Sequence, residues 1–429
     1  MFSFKKAAAG VLSCTMLLGS LVISGCSDSN TSGAQSADNT SNGSSTAHQG
    51  EIKDISSVEL VKDMKIGWSL GNTLDGGNEV NRGQAPGAIE KSWGNPDTTK
   101  EMIDEIKKAG FNVLRVPTTW DWSTGEAPEY KISDEWFARV KEIVDYGMEN
   151  DMYVILNIHH ETWHDPLEAN YEAASDRLKK VWTQIGNYFK DYDEHLIFEG
   201  LNEPRVRNSD EEWNGGSDAT REVVNKLDAD FVSTIRSLDG NNKLRHLMIP
   251  GYAASSSEVA LKALKIPEND DKLIVSVHAY IPYNFALSDN KRSNKWVACK
   301  EGFTNDIDNL ADMLKTLFTD KGQAVIIGEF GARSKDNEKY RAEWAKYYVT
   351  KMKTVGVPCV WWDNGAFIGS GELFGLFDRR NLEWRYPLLK DALISASNGE
   401  YTVDGLKSDT TILDELKKDI AQSKNSSAE

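Results

Sequence analysis

Short apolar runs alternate with longer amphipathic segments along the chain from about residue 51 to residue 398. The apolar runs fall at 66–70, 112–116, 153–158, 196–201, 246–250, 273–278, 324–328 and 357–362. They are rich in Val, Ile and Leu and lack the strict alternation of a strand with one wet face. That is the pattern of parallel strands buried on both sides. Successive runs start about 42 residues apart on average, enough for a strand, a crossover helix and two loops. The fifth and sixth runs start closest together, so the helix between them must be short.

The intervening segments have helical spacing. Thr98 and Glu101 have the Ser/Thr-x-x-Glu spacing of a capping box, Met102, Ile103, Ile106 and Ala109 follow on one face, and Gly110 stands where a C-cap is wanted. Ser133 is placed to cap a helix whose buried face is Trp136, Val140, Ile143, Val144 and Gly147. Segments 218–238, 305–319 and 337–354 read likewise. Eight strand–helix units without a Gly-rich phosphate loop predict an α/β fold of the (β/α)8 (TIM) barrel type, a single catalytic domain over 51–398, followed by a charged C-terminal extension, 399–429.

The first 25 residues read differently. Lys5 and Lys6 precede a mostly apolar stretch that stops at Ile23-Ser24-Gly25-Cys26, as in a secretory signal. The small-small-Cys ending resembles a bacterial lipobox, with Cys26 as the lipidated residue. From 26 to 50 the chain is mostly Ser, Asn, Thr, Ala, Gly and Asp with no large apolar residue, the composition of a flexible tether. The expectation is a domain on the outer face of a bacterial envelope, touching membrane only through its lipid, or otherwise secreted.

Composition narrows the function classes. The net charge of −17 argues against a nucleic-acid partner, because phosphate contacts need clustered Lys and Arg. Four cysteines in 429 residues exclude a disulfide-built scaffold; two of them, Cys299 and Cys359, lie in the body, as a pair or as separate thiols. Thirteen Trp imply a large aromatic core or a flat aromatic binding surface. A monomer is expected.

In a barrel of this kind chemistry gathers at the C-terminal ends of the strands. Those ends carry Trp68 and Asn72, Arg115, His159 and His160, Asn202 and Glu203, His278 and Tyr280, Glu329, and Trp362. A single Arg or His at a rim is usually a satisfied polar group, but seven strand ends bringing two carboxylates, three His and two Trp to one mouth form a constellation. Glu203 follows the fourth run and Glu329 the seventh, so the two face each other across the mouth. Hydrolysis of a glycosidic bond needs such a pair, one to protonate the leaving oxygen and one to attack or to activate water.

The segments that carry these residues resemble glycoside hydrolase family 5. Leu201-Asn202-Glu203-Pro204 is similar to the family's acid/base motif and Ile327-Gly328-Glu329-Phe330-Gly331 to its nucleophile motif. Asn112-Val113-Leu114-Arg115-Val116-Pro117, Asn157-Ile158-His159-His160, Val277-His278-Ala279-Tyr280 and Trp361-Trp362-Asp363-Asn364-Gly365 match further signature segments. Gly67-Trp68-Ser69-Leu70-Gly71-Asn72 is similar to the opening strand of the cellulase members, and the likeness covers about 58–393. The resemblance implies a retaining β-glycanase, with endo-β-1,4-glucanase the leading activity on cellulose-type or mixed-linkage β-glucans. Glu203 is then the acid/base, with a raised pKa, and Glu329 the nucleophile, kept ionised by Arg115 and Tyr280. Asn202 would bond the sugar 2-OH. His159, His160 and His278 would shape the cleavage subsite, and Trp362 and Trp68 would stack on pyranose faces. The carboxyl groups should stand about 5–5.5 Å apart. No cofactor or metal is required, since two carboxylates and water suffice.

Three other readings compete. His160-Glu161-Thr162-Trp163-His164 matches the H-E-x-x-H zinc pattern, but that motif works only on a helix, and here it leaves a strand and meets Pro166. A non-catalytic surface glycan binder would be favoured had either Glu been lost. Xyloglucan, mannan or xylan remain rival substrates, because the loops decide. Trp93, Trp120 and Trp122 are divided between cleft and packing, whereas Trp136, Trp182 and Trp344 read as core. With no separate carbohydrate-binding module evident, soluble glucans are expected to outrank crystalline cellulose.

Overall fold

The computed structural model describes residues 48–414 and 416–417. Residues 1–47, with the expected signal, Cys26 and most of the tether, lie outside the described residues. Eight parallel strands close into a barrel in chain order: β1 (Ile66–Leu70), β2 (Val113–Val116), β3 (Tyr153–Asn157), β4 (Leu196–Glu199), β5 (Leu247–Ser255), β6 (Leu273–His278), β7 (Ala324–Phe330) and β8 (Cys359–Asp363). The predicted barrel is therefore present, with every strand starting in its apolar run and β5, β7 and β8 running past its end. Each position of β1, β2, β4, β6, β7 and β8 is buried, which is why none alternates.

The helices follow the expected faces. Ser133 Oγ caps Asp134–Glu149 by accepting from Trp136 N, and Gly110 closes Lys100–Ala109 at φ 112°, a left-handed turn that costs glycine little. The cap of that helix is Thr99 rather than Thr98, because Glu90 draws the Thr98 N–H away from the helix. The crossover between β5 and β6 carries only Glu258–Ala263, the short helix that the spacing required.

Side chains on one strand face recur every second residue, so the barrel interior is layered. The lower layer is apolar: Val113, Ile155, Ile197, Met248, Ile274, Ile326 and Val360 pack together, and Leu60, Val61 and Met64 close it from below. Two of those three come from a helix, Ser57–Asp63, whose N-terminus Ser56 and Glu59 fasten as a capping box. Fully burying one such side chain contributes roughly 1.5–3 kcal/mol, so this plug secures the end of the barrel away from the chemistry. Two residues further along the same strands stand Arg115, Asn157, Glu199, Ser276 and Trp362, where the interior turns polar.

Residues 48–50, assigned to the tether by composition, instead lie against the barrel, with Gln49 bridged antiparallel to Tyr192. The C-terminal extension is tied down in part: Val403–Ser408 is helical and buries Leu406. Cys299 and Cys359 are both free thiols, so they do not pair. Among the described residues no helix is long and apolar enough to cross a membrane.

Candidate active site

The polar layer is organised by one guanidinium. Arg115 is fully buried and donates Nε to Glu199 Oε2 (2.8 Å), Nη1 to Glu329 Oε1 (2.7 Å) and Nη2 to Asn202 Oδ1 (2.6 Å). Burial works against its charge, but Glu199 and Glu329 more than compensate and hold its pKa above the ordinary arginine value. Glu199 in turn accepts from Asn157 Nδ2 (3.0 Å) and Ser276 Oγ (2.6 Å). Glu199 and Ser276, absent from the sequence-based set, therefore support the ring of predicted residues from below. The signal was available: each stands two residues beyond an inward apolar position on a strand buried on both faces.

Glu329 reaches the mouth through an irregularity. The β6–β7 register shifts between Val277 and His278, so that His278 pairs with Glu329. Such a bulge turns the next side chain to the other face. Gly328 makes room, since a Cβ there would stand 3.0 Å from Ser276 Oγ and 3.2 Å from His278 Nε2. Both Glu329 oxygens are engaged, Oε1 by Arg115 and Oε2 by the Tyr280 hydroxyl at 2.8 Å. Burial, with the Glu329 charge, pushes the Tyr280 phenol well above its usual value, so it remains a donor.

Glu203 faces Glu329, and an oxygen of each carboxylate and a ring nitrogen of His278 lie within 4.8 Å of one another. His278 Nδ1 is 2.8 Å from Glu203 Oε1, and Arg205 Nη1 is 3.3 Å from Glu203 Oε2. A raised pKa was expected for Glu203, and the surroundings of the carboxyl correct this. Burial pushes the carboxyl up, but the hydrogen bond and charge of His278, with Arg205 and Arg115 behind them, leave it below the ordinary 4.5. Burial opposes the charge on His278, yet Glu329 and Glu203 raise that imidazole above the ordinary 6.5. These shifts favour His278 over Glu203 as the holder of a proton shared between them.

The remaining predicted residues line the same cleft, with one exception. Asn72, His159, His160, Asn202, Tyr280 and Trp362 border a cavity of about 1110 Å³ together with both carboxylates. The Trp362 indole lies parallel to His159, with ring centroids 5.7 Å apart and 4° between planes. Burial keeps both imidazoles neutral, pressing His159 well below its ordinary value and His160 down to about 4. Asn72 sits at φ 55°, a left-handed conformation asparagine tolerates, with its N–H on Asp75 Oδ2.

Trp68 is the exception. Its indole is fully buried, donates Nε1 to Asp363 Oδ2 at 2.9 Å and lies beneath the Arg379 guanidinium. It is part of the core and offers no face to a sugar. Trp120 and Trp122 are buried too, whereas Trp93 is exposed and lines the cleft beside His160. Sequence reasoning missed Trp213, 61% exposed, whose ring carries the Arg205 guanidinium at 4.3 Å on the Glu203 side. It missed Glu372 and Arg333 as well, both bordering the cavity. These sit on loops, which have no periodicity to reveal which side chains turn inward.

The H-E-x-x-H segment is irregular loop and not helix, so His160 and His164 do not share a helical face. Its Glu161 is committed to structure, accepting from Trp120 N (2.6 Å) and Trp163 Nε1 (2.9 Å), and burial lifts its carboxyl to about 7.

Two acidic side chains facing each other across the mouth of a (β/α)8 barrel, with aromatic rings beside them, define a glycoside hydrolase. Residues 75–367 match the family model for cellulase (glycosyl hydrolase family 5). The chain belongs to glycoside hydrolase family 5. It is 48% identical over 367 residues to an endoglucanase B of Neocallimastix patriciarum, covering 84% of this chain and 75% of the relative. Its fold is similar to that of a broad-specificity endoglucanase from Clostridium longisporum, with a TM-score of 0.78 at 44% identity over 81% of this chain and 100% of the other. A lichenase from Caldicellulosiruptor sp. F32 gives a TM-score of 0.76 at 42% identity over 81% and 97%.

Proposed function

We propose that this enzyme is a retaining endo-β-1,4-glucanase acting on soluble cellulose-type and mixed-linkage β-glucans. The observation that carries the reading is the approach of the Glu203 and Glu329 oxygens to within 4.8 Å. Oxygens that near are in keeping with the carboxyl separation of about 5–5.5 Å of a retaining pair rather than the roughly 6.5–9.5 Å of an inverting one, which must admit a water. Glu329, with a donor on each oxygen, is the nucleophile. Glu203 passes the proton it shares with His278 to the leaving glycosidic oxygen as the Glu329 carboxylate bonds to the anomeric carbon. It then takes a proton from the water that releases the glycosyl-enzyme.

Asn202 owes its orientation to Arg115. Its carbonyl oxygen is occupied by Nη2, which turns the amide NH2 toward the cleft as a donor for the sugar 2-OH. Trp362 supplies a flat face beside His159, and Trp93 and Trp213 extend the aromatic lining. The relatives named as broad-specificity endoglucanase and lichenase support a β-glucan backbone and lend weight to tolerance of mixed linkages. The N-terminal segment supports a lipid anchor at Cys26, with the domain outside the cell.

The test is reducing-end release by the purified chain on carboxymethyl-cellulose, mixed-linkage β-glucan, xyloglucan, xylan and mannan, with Glu329→Ala alongside. Strong release from the β-glucans that disappears in the variant is the expected result. Release unchanged by Glu329→Ala would sink the two-carboxylate mechanism, and a preference for xylan or mannan would replace the substrate.

A further inference from the structure

At the opposite end of the barrel from the cleft, beside the starts of β3 and β4, two histidines and an aspartate meet. The chain entering the barrel lies along residues 191–193: Gly50 N donates to Asp191 O and Asp193 N to His48 O, both at 3.0 Å. Asn241 Nδ2 adds a hydrogen bond to Gly50 O at 2.6 Å. This pairing sets the His48 ring against His195, with centroids 4.4 Å apart, while Tyr153 stacks on the other side of His195 at 4.8 Å.

The hydrogen-bond logic of the cluster leaves acceptor atoms facing one another. Asp193 Oδ2 is 2.9 Å from His48 Nδ1, and Asp193 Oδ1 is 3.1 Å from His195 Nδ1. An ionised carboxylate only accepts, so both Nδ1 atoms are donors and a neutral ring then has its lone pair on Nε2. Both Nε2 atoms lie near one oxygen, Asp151 Oδ1, at 3.4 Å from His48 and 3.8 Å from His195. That oxygen is also an acceptor. Three lone pairs thus converge on one point, and filling it with protons would place two imidazolium rings against each other, a like-charge contact.

We propose that His48 Nε2, His195 Nε2 and Asp151 Oδ1 form a divalent-cation site, suited to Zn2+, that staples residues 48–50 to the base of the barrel. In a tetrahedral zinc site with bonds of about 2.0–2.1 Å, neighbouring ligand atoms stand about 3.4 Å apart, close to the observed spacings. Two imidazoles and one carboxylate are a donor set that zinc accepts, with water completing the shell. Asp193 supplies the outer carboxylate that commonly orients ligating histidines and fixes their tautomer. Glu194 stays outside the set because Lys53 Nζ holds its Oε1 at 2.6 Å. Asp151 is 76% exposed while the rings are about 15% exposed, so an ion enters from solvent onto a mostly preformed site. Its consequence is mechanical: residues 48–50 would be held by metal at the end of the barrel opposite the cleft.

Zinc titration of the purified full chain, carrying no polyhistidine tag, tests the site, with Co2+ absorption reporting the ligand geometry. One equivalent should bind and raise the melting temperature. Affinity should fall at least about 100-fold in His48→Ala and in His195→Ala, and about 10- to 100-fold in Asp193→Asn, while glucan hydrolysis stays at the parent level and so certifies folding. His278→Ala should still take up its equivalent, which separates this site from the catalytic cluster. Absence of saturable zinc binding, or binding indifferent to His48→Ala and His195→Ala, overturns the proposal. Should Asp193→Asn unfold the chain, the two histidine variants decide alone.

Discussion

His278 Nδ1 lies 2.8 Å from Glu203 Oε1 and 3.6 Å from Glu329 Oε2, so one imidazole adjoins both carboxylates. In the proposed mechanism the pair it forms with Glu203 holds the proton that the leaving group needs, and losing that proton sets the alkaline limb of kcat/KM. His278 is raised above 6.5, so in His278→Asn the limb falls to Glu203 alone and moves to lower pH. A pH profile on a soluble glucan checks this; an alkaline limb that does not move removes His278 from the proton path.

The same pair has a stability signature. The His278 contribution is complete below the unfolded value of 6.5 and is lost as pH rises through the raised folded value. The Glu203 contribution is present above 4.5 and is lost as pH falls through its lowered folded value. Together they favour the folded state most between 4.5 and 6.5. Urea midpoints of the parent and His278→Asn should therefore differ most inside that window and converge outside it.

Tyr280→Phe removes only the hydroxyl that donates to Glu329 Oε2. A hydrogen bond to a charged group contributes about 1.5–3 kcal/mol, so kcat/KM should drop about 10- to 100-fold. Steady-state kinetics at the parent optimum measure it, and a loss below threefold would show that Arg115 alone suffices to hold the nucleophile.

Much of this site was legible in the sequence because barrel geometry converts position into place. Arg115, Asn202, Glu203, His278, Tyr280 and Glu329 each lie at or just past the end of an apolar run, and strand ends share one mouth. Trp68 deceived because a strand end has two faces: its side chain turns to Arg379 and Asp363 in the core, while Trp362 on the paired strand turns to the cleft. The β-bulge that aims Glu329 leaves no mark in hydrophobic pattern, although the motif containing it does. Arg205 and Trp213 could not be placed, since they become neighbours only through the fold of a polar loop.

Glu199 touches no substrate position, yet it carries the counter-charge for Arg115. Glu199→Ala would leave a fully buried guanidinium with one carboxylate fewer, a change that costs about 3–5 kcal/mol. Glu199→Gln keeps an acceptor for Arg115 and should cost less. Urea unfolding of both variants separates the outcomes. Equal, small losses would mean that Glu329 alone balances the charge.

Two indoles give a final, opposed pair of expectations. Trp68 is fully buried and hydrogen-bonded to Asp363, so Trp68→Ala opens a cavity and should lose about 3–5 kcal/mol of stability. KM of the folded fraction should not change, because the indole meets no ligand. Trp213 is 61% exposed and lies under Arg205, which also reaches Glu203, so the proposed mechanism puts it on the leaving-group side of the cleft. Removing it should leave stability within about 0.5 kcal/mol. A lost stacking contact on the order of 1 kcal/mol raises KM for long glucans about fivefold with kcat retained. Short substrates that do not reach Trp213 should show no change. Chemical unfolding and KM measured on a cello-oligosaccharide series distinguish the two, and a KM rise in Trp68→Ala without loss of stability would return that indole to the cleft.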